Sequence, residues 1–383
     1  MLKNNISDFS KCSNCGACYN ICPVQAIDVN QEDVFYQVKV NETKCINCGL
    51  CKKVCPVNTP KPNQSLFSCY AAVNCNSDVL RNSSSGGVFS AIADYCLTKG
   101  GVVFGAAYSN NFRTVEIKST DEVDLSELRR SKYVESLVGD SFKKVKQYLK
   151  QQKPVLYCGA PCQIAGLKRF LNEDYENLIT CDFSCGGMAS HQFYKEYIDY
   201  IEQKLNARIT EVNFRPKVYG WQKHAMLIKA ENQKKYCRPS ICDPYFLSYI
   251  HERLNIRDYC YECSFGNNHS ADFILADLWK WRDFNVVNND RGLSLILTNS
   301  LKGERILKEI SKTMSITVLD FDRATYNISS RNINPTFMEK RKAFLEDCNK
   351  QGFIKTMKRH KHYSLFIFLV KYYLKKALQF IRG

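Results

Sequence analysis

The sequence predicts a small α+β domain at the N-terminus followed by a larger α/β body. Three observations predict this division. One cysteine pattern occurs twice within residues 12–56. Strand-like apolar runs then alternate with helical periodicity over about 250 residues. Between the two regions Thr59–Gln64 carries Pro60 and Pro62 and reads as a linker. A chain of 383 residues holds about two or three domains. A hydrophobic content of 45% is enough to bury a core.

The first cysteine run is Cys12, Cys15, Cys18, Cys22 and Pro23, and the second is Cys45, Cys48, Cys51, Cys55 and Pro56. Both read C-x2-C-x2-C-x3-C-P, the run that binds 4Fe–4S clusters in bacterial ferredoxins. Two-residue spacers let three sulfurs curl around one cluster, while the fourth reaches the other. Cys12, Cys15, Cys18 and Cys55 are therefore expected to share one cluster. Cys45, Cys48, Cys51 and Cys22 share the other. Gly16 and Gly49 are expected where the backbone passes close to inorganic sulfide. Zinc knuckles would use separated CxxC pairs, four ligands to a site. Two compact runs, each closed by proline, fit that poorly.

The formal charge is +16, from 54 Lys and Arg against 38 Asp and Glu. Each oxidised cluster with its thiolates subtracts about 2 charges, so the protein remains basic. Basic surfaces meet nucleic acid, anionic lipid or acidic proteins. No nucleic-acid motif is present, and a small acidic electron carrier such as ferredoxin or flavodoxin suits redox chemistry best. Eight of the 20 cysteines are committed to reduced ligation. Met1–Ser10 has no apolar run of the secretory kind. A reducing, cytoplasmic setting is expected.

The elements follow in order. Ala26–Val29 and Phe35–Val40 read as a hairpin between the motifs. Cys69–Val73 reads as a strand. Asn82-Ser83-Ser84-Ser85-Gly86-Gly87 then opens a helix whose Val88, Ile92, Tyr95 and Cys96 share a face. This turn is open to two readings, a phosphate cradle of free N–H groups or an ordinary N-cap. Gly100–Tyr108 reads as a buried strand and Val115–Lys118 as its partner. Leu125–Arg130 and Phe142–Gln152 read as helices. Val155–Tyr157 is a strand delivering Cys162, with Ile164–Leu171 a helix. Leu178–Phe183 is a strand delivering Cys185. Ligands collect at the carboxyl ends of strands in such sheets. His191–Leu205 is helical, with Tyr194, Tyr197, Ile198 and Ile201 on one face. Glu211–Arg215 and Ala225–Lys229 are strands, and Cys260-Tyr261-Glu262-Cys263 is a third CxxC. Ile274–Leu278 and Leu293–Thr298 are strands, and Gly303–Lys312 is a helix.

The tail from Asn332 differs. His360–Arg382 combines a basic face with a dense apolar one. Its run Leu365–Val370 is too short to span a bilayer. It fits either a helix packed on the body or an in-plane anchor on anionic lipid.

Several segments resemble the beta subunits of coenzyme F420-reducing hydrogenases and dehydrogenases, in a ferredoxin-fused form. They are SSSGGVFSAIA from Ser83, SKYVES from Ser131, GAPCQIAGLK from Gly159, DFSCGG from Asp182 and NFRPKVYGW from Asn213. CYECSFG from Cys260, DFILADLW from Asp272 and RGLSLILTNSLKG from Arg291 complete the set. The resemblance implies a ferredoxin-like dicluster domain over 1–62 and beta-subunit N- and C-terminal regions over 63–150 and 151–330. Residues 331–383 are left as the amphipathic tail. It implies an FAD or FMN flavin in the α/β body, near Ser84, Ser85, Gly86, Gly87, Lys132 and Tyr133. It also implies a third 4Fe–4S cluster on Cys162, Cys185, Cys260 and Cys263, with Cys158 and Cys181 as competing or core thiols. Gly186 stands where related sequences carry a histidine. The C-x3-C-x2-C triplet of radical S-adenosylmethionine enzymes does not appear.

The expected function is an iron–sulfur flavoprotein oxidoreductase that exchanges electrons with a carrier protein and acts on a small organic substrate. An electron-transfer adaptor serving a partner enzyme is the alternative. Peripheral membrane contact through the tail would be compatible with either. The sequence assigns no catalytic residue.

Overall fold

A computed structural model describes residues 11–58, 68–287, 290–325, 335–359 and 364–381. The linker expected at Thr59–Gln64 and the segment Met1–Ser10 lie outside the described residues. The chain forms two compact units, residues 1–192 with 256–332, and residues 193–255 with 333–383.

The first unit begins with the cysteine-rich module. Helix α1 (Ala17–Ile21) and helix α2 (Leu50–Val54) follow Gly16 and Gly49, and the hairpin β1 (Ile27–Asn30) and β2 (Gln37–Val40) lies between them in sequence. Both glycines cap their helices with left-handed backbone, φ 84° and 73°, a region that glycine enters without steric cost. At Gly16 a second cause applies. A Cβ there would lie 2.7 Å from Val138 Cβ in the body. This glycine therefore serves docking to the body, not only the approach to sulfide expected from the sequence.

The body is an eight-stranded mixed sheet in the order β13-β3-β12-β11-β7-β6-β4-β5. Its strands are β3 (Ser68–Asn74), β4 (Val102–Ser109), β5 (Thr114–Thr120), β6 (Val155–Cys158), β7 (Leu178–Phe183), β11 (Phe273–Asp277), β12 (Ser294–Thr298) and β13 (Met314–Val318). The central strands β4, β6, β7 and β11 run parallel, and antiparallel strands flank them on both sides. Alternation along the strands loads both faces. Val103, Leu156, Ile179, Phe273 and Ile296 pack with Val88, Ala91 and Ile92 of α4 (Val88–Leu97) and with Ile306, Leu307 and Ile310 of α9 (Leu301–Ile310). Of the intervening residues, Phe104 stacks on Tyr157, Tyr157 meets Phe142 of α5 (Ser141–Lys150) edge-on, and Phe142 meets Phe170 of α6 (Pro161–Leu171). This is the layered arrangement of α/β folds. The short helices α3 (Ser77–Arg81) and α10 (Phe321–Thr325) complete this unit.

Two expectations need correction. Leu125–Arg130 makes one turn, not a helix: Arg129 N–H closes on Leu125 O, then Arg130 takes φ 69°. Leu125 is fully buried and Leu128 is 7% exposed, so this segment acts as an apolar plug. Helix α6 starts at Pro161, three residues before the expected Ile164. Proline suits the first helical position, and Gln163 Oε1 accepts from Ala160 N–H at 3.0 Å. Cys162 thus stands on the first helical turn, beyond the strand end.

The second unit contains most of α7 (His191–Leu205) and the antiparallel sheet of β8 (Ile209–Asn213), β9 (Ala225–Ala230) and β10 (Lys235–Pro239), with β9 central. Helices α8 (Pro244–Phe246), α11 (Pro335–Gln351), α12 (Phe353–Arg359) and α13 (Leu365–Ile381) complete it. Tyr194, Tyr197, Ile198 and Ile201 of α7 are fully buried, as their spacing requires. Asp243 is buried and accepts from Tyr197 Oη at 2.7 Å, Tyr236 Oη at 3.0 Å and Phe246 N–H at 2.8 Å. Burial pushes its carboxyl up, against these bonds. On α13, Phe368 and Tyr372 pack edge-on to Tyr219, while Phe366 and Tyr373 are exposed. Among the described residues no helix is long and apolar enough to cross a membrane.

The cysteine module is seated on the body through α1 and α6. Gly166 makes this close approach: a Cβ there would lie 3.1 Å from both Cβ and Sγ of Cys15. Gly166→Val should destabilise the fold by about 1–3 kcal/mol, the usual cost of overpacking. The check is chemical denaturation of the metal-free protein.

Candidate functional site

Three sets of four cysteines emerge, all in the first unit. Cys12, Cys15, Cys18 and Cys55 form the first. Cys55 is close enough to each of the other three to push its thiol up electrostatically, adding to the larger effect of burial. Cys22, Cys45, Cys48 and Cys51 form the second and line a hollow of about 380 Å³ with Ala26, Ile27 and Val40. The fourth cysteine of each run thus lies with the other run's triplet.

The third set is Cys162, Cys185, Cys260 and Cys263, around a hollow of about 330 Å³ with Ser13, Pro161, Met188 and Phe265. Cys162 comes from the first turn of α6, Cys185 from the loop after β7, and the last pair from a 3-10 turn. Cys158 and Cys181 are not among the residues lining it. They are partners on β6 and β7, with Cys158 hydrogen-bonding Cys181 and pushing that buried thiol up.

All three sets share one local device, a backbone N–H directed at sulfur. Asn14 N–H points to Cys12 Sγ, Asn47 N–H to Cys45 Sγ and Gly187 N–H to Cys185 Sγ, each at 3.4 Å. Ala26 N–H reaches Cys22 Sγ at 3.2 Å, and Met188 N–H reaches Cys260 Sγ at 3.4 Å. Such donors favour thiolate over thiol. Burial acts the other way and pushes Cys15 and Cys260 up to about 12. Ligation would remove that conflict, because a bound metal would draw the proton off and supply the missing positive charge. Among the described residues no group of three or more His, Cys, Asp or Glu side chains is arranged for a single metal ion. The sulfurs of the second and third sets line the two hollows.

The first and third sets adjoin. Cys162 Sγ lies 3.7 Å from Ser13 O, Ser13 itself lines the third hollow, and Cys15 acts electrostatically on Cys162. Beside them lies a buried network that the sequence reading missed. Glu135 is fully buried. It accepts from Tyr36 N–H at 2.9 Å and from Arg257 Nη2 at 2.7 Å, and pairs with His191 Nδ1 at 2.8 Å. Arg257 also donates to Tyr36 O. Burial would raise the Glu135 carboxyl, and Arg257 followed by His191 more than offsets it, leaving it below its ordinary value. Glu135 lies inside the SKYVES segment and Arg257 stands three residues before Cys260, yet only the fold shows them converging with Tyr36 and His191.

The serine–glycine segment is largely committed to internal bonds. Ser84 Oγ accepts from Ser131 N–H at 2.8 Å, Ser85 Oγ donates to Leu293 O at 3.0 Å, and Gly86 N–H donates to Ser294 Oγ at 2.9 Å. A Cβ on Gly86 would lie 2.3 Å from Ala72 O. Gly87 has φ 82° and caps α4 without a side-chain bond. Lys132 Nζ donates to Arg129 O at 2.7 Å. Burial, helped by Arg130, pushes its amine down to about 7. Tyr133 is half-buried. At the end of β7, Asp182 Oδ1 pairs with His269 Nδ1 at 2.8 Å. Burial pushes the Asp182 carboxyl up, and His269 is raised because Asp182 outweighs its own burial.

The crossed arrangement has a direct check. Cys22→Ser should damage the cluster of the Cys45, Cys48 and Cys51 triplet and leave the Cys12 triplet's cluster intact. Mössbauer and EPR spectra of the anaerobically loaded variant would show which is lost.

Comparison with known proteins gives three matches in series. Residues 11–59 match a 4Fe-4S dicluster domain. Residues 69–142 match the coenzyme F420 hydrogenase/dehydrogenase beta subunit N-terminal family, and residues 152–324 match its C-terminal family. No curated protein matched. Among solved structures, a chain of the xenon-derivatised F420-reducing NiFe hydrogenase complex from Methanosarcina barkeri is similar at 13% identity. The alignment covers 75% of this chain and 94% of that one, with a TM-score of 0.45. The chain, an iron–sulfur electron-transfer subunit with an N-terminal 4Fe–4S dicluster domain, belongs to the coenzyme F420 hydrogenase/dehydrogenase beta subunit family.

Proposed function

We propose that this chain is an iron–sulfur flavoprotein oxidoreductase that takes up single electrons at its dicluster domain and passes them into the α/β body. The observation that carries the reading is the third cysteine set. Four thiols from three places in the chain face one hollow, and that hollow adjoins the first ferredoxin set through Ser13 and Cys15. When bound, clusters exchange single electrons and a flavin converts between one- and two-electron steps.

The residues divide the work. Cys12, Cys15, Cys18 and Cys55 would hold the inner ferredoxin cluster. Cys22, Cys45, Cys48 and Cys51 would hold the outer one, where Cys48, Ile46 and Leu50 are exposed. Lys44, Lys52 and Lys53 are exposed around it and suit an acidic carrier such as ferredoxin or flavodoxin. Cys162, Cys185, Cys260 and Cys263 would hold a cluster inside the body. For an FAD or FMN phosphate the uncapped start of α4 offers backbone N–H groups, with Lys132 as the nearby cation. Ser84, Ser85 and Gly86 would shape that turn through their internal bonds. The Asp182–His269 pair can hold a proton at Nδ1 beside the carboxyl end of β7, a role that Gly186 has no side chain to perform. The exposed apolar residues of α13 are the surface that any peripheral lipid contact would use.

The adaptor reading draws on a different observation. The hydroxyls of Ser84 and Ser85 are turned to internal partners. Without a flavin the same three cysteine sets would form a relay to a partner subunit, and no substrate chemistry would occur in this chain.

Anaerobic preparation with iron, sulfide and flavin quantified together separates these readings. The oxidoreductase holds about twelve iron atoms, four per cubane, and one flavin. Cys263→Ser brings the iron to about eight. Three clusters without flavin indicate the adaptor, and eight iron atoms in the unaltered protein would remove the third cluster.

Lys132 gives a pH test of the flavin site. Its amine becomes neutral as pH rises through about 7, so its attraction for a phosphate is present below that pH and fades above it. Lys132→Met should therefore weaken flavin binding severalfold in mildly acid solution and little in alkaline solution. Fluorescence titration of the flavin-depleted protein at both pH values is the measurement. Equal losses at both would assign the phosphate to other groups.

A further inference from the structure

Between the first and third cysteine sets lies one buried cation whose task is not exhausted by its ion pair. The Arg257 side chain is 6% exposed. Its Nη2 is taken up by Glu135 and Tyr36 O. Its Nε is buried and has no hydrogen-bond partner among the described residues. The backbone fixes its position on both sides: Arg257 N–H donates to Met188 O at 2.9 Å, and Arg257 O accepts from Cys260 N–H at 3.0 Å. The guanidinium reaches Cys12 of the first set and Cys260 of the third electrostatically. At Cys12 its effect exceeds that of Glu135, which has the opposite sign.

We propose that Arg257 is the shared counter-cation of these two thiolate sets, favouring the electron-rich state of whatever each holds and so matching the pair for transfer across the junction between ferredoxin module and body. The inference rests on the reading that both sets hold 4Fe–4S clusters. Reduction adds one negative charge to a buried site. A fixed cation in a low-dielectric surrounding stabilises that charge more than water at a surface would. A hydrogen bond from this Nε–H to a cluster sulfur would act in the same direction, since cluster potentials respond to hydrogen bonding at sulfur. The second set lies elsewhere, at the exposed rim, and shares none of this.

The alternative is a purely structural arginine that staples Tyr36 to Glu135. Removing it alone would strand the Glu135 carboxylate, so the test uses Arg257→Gln with Glu135→Gln in the full chain. After anaerobic loading, iron is counted and each cluster's potential is read by EPR-monitored titration. With iron at the wild-type level, two of the three clusters should become harder to reduce by about tenfold, or about 59 mV for a one-electron couple. The third, on the Cys45 triplet, should not move. Arg257→Lys keeps the charge and should shift both by clearly less. Unmoved potentials in the fully loaded double variant would overturn the proposal, as would a lysine variant shifted as far as the neutral one. If the double variant loses iron, the lysine variant decides alone. A tenfold shift in it overturns the proposal. Failure of the underlying reading shows separately, as eight iron atoms in the unaltered protein.

Discussion

A buried carboxylate, Glu135, joins the cysteine module to the body. It receives a backbone N–H from Tyr36 beside the module's hairpin, and it pairs with Arg257 and His191 from the body. His191 reaches back through Nε2 to Gln31 O at 2.9 Å, and its ring stacks on Tyr36 at 3.7 Å between centroids. Removing one member of such a buried pair costs about 3–5 kcal/mol, because the remaining charge is left without a partner. The seat is therefore specific. It allows the module one placement, with Gly16 against Val138 and Gly166 against Cys15.

That placement decides which cysteines can work together. A third ligand set needs sulfurs from the first turn of α6, the loop after β7 and the turn at Cys260–Cys263. The parallel sheet supplies them, since β6 and β7 are neighbours and their following segments leave the same edge. Gly187, with φ 115°, brings its backbone so close to Ile256 that a Cβ would lie 2.6 Å from Cγ2. The Cys185 loop is thereby held against the segment that carries Cys260.

Much of this was legible in the residues. The doubled C-x2-C-x2-C-x3-C-P run carries its own geometry, and α7 shows its buried face by spacing alone. Strands β4, β6, β7 and β12 read clearly because each is a short apolar run between turn signals. What could not be read has physical causes. The edge strand β13, MSITV, exposes Val318 and alternates weakly, so its pairing with β3 supplies what its pattern lacks. Leu125 and Leu128 have helical spacing but are plugs on a single turn. Glu135, Arg257 and His191 lie 56 or more residues apart in contacting pairs, and no local pattern marks a charge that will be buried. The serine–glycine segment looks like a phosphate cradle, yet Gly86 is small because Ala72 O and Ser294 crowd it.

The three sets differ in how their charge is accommodated. At the outer set Cys22 is buried, Cys45 and Cys51 are half-buried and Cys48 is exposed, so water screens part of whatever charge resides there. The inner and body sets have two buried and two half-buried cysteines each and none exposed, with Cys15 and Cys18 at 7% and 9% and Cys162 and Cys260 at 7% and 6%. In those surroundings an added electron is costly unless a fixed dipole or cation compensates it. Backbone N–H groups supply part of the compensation at Cys12, Cys185 and Cys260. Arg257 is the full charge that lies within reach of both buried sets. An exposed set with a lysine rim suits exchange with a mobile protein, whereas two buried sets around one guanidinium suit transfer within the molecule. At the sheet edge that gathers the third set, Asp182 of β7 pairs with His269, so the strand that leads to Cys185 also ends in a buried carboxylate held by an imidazole.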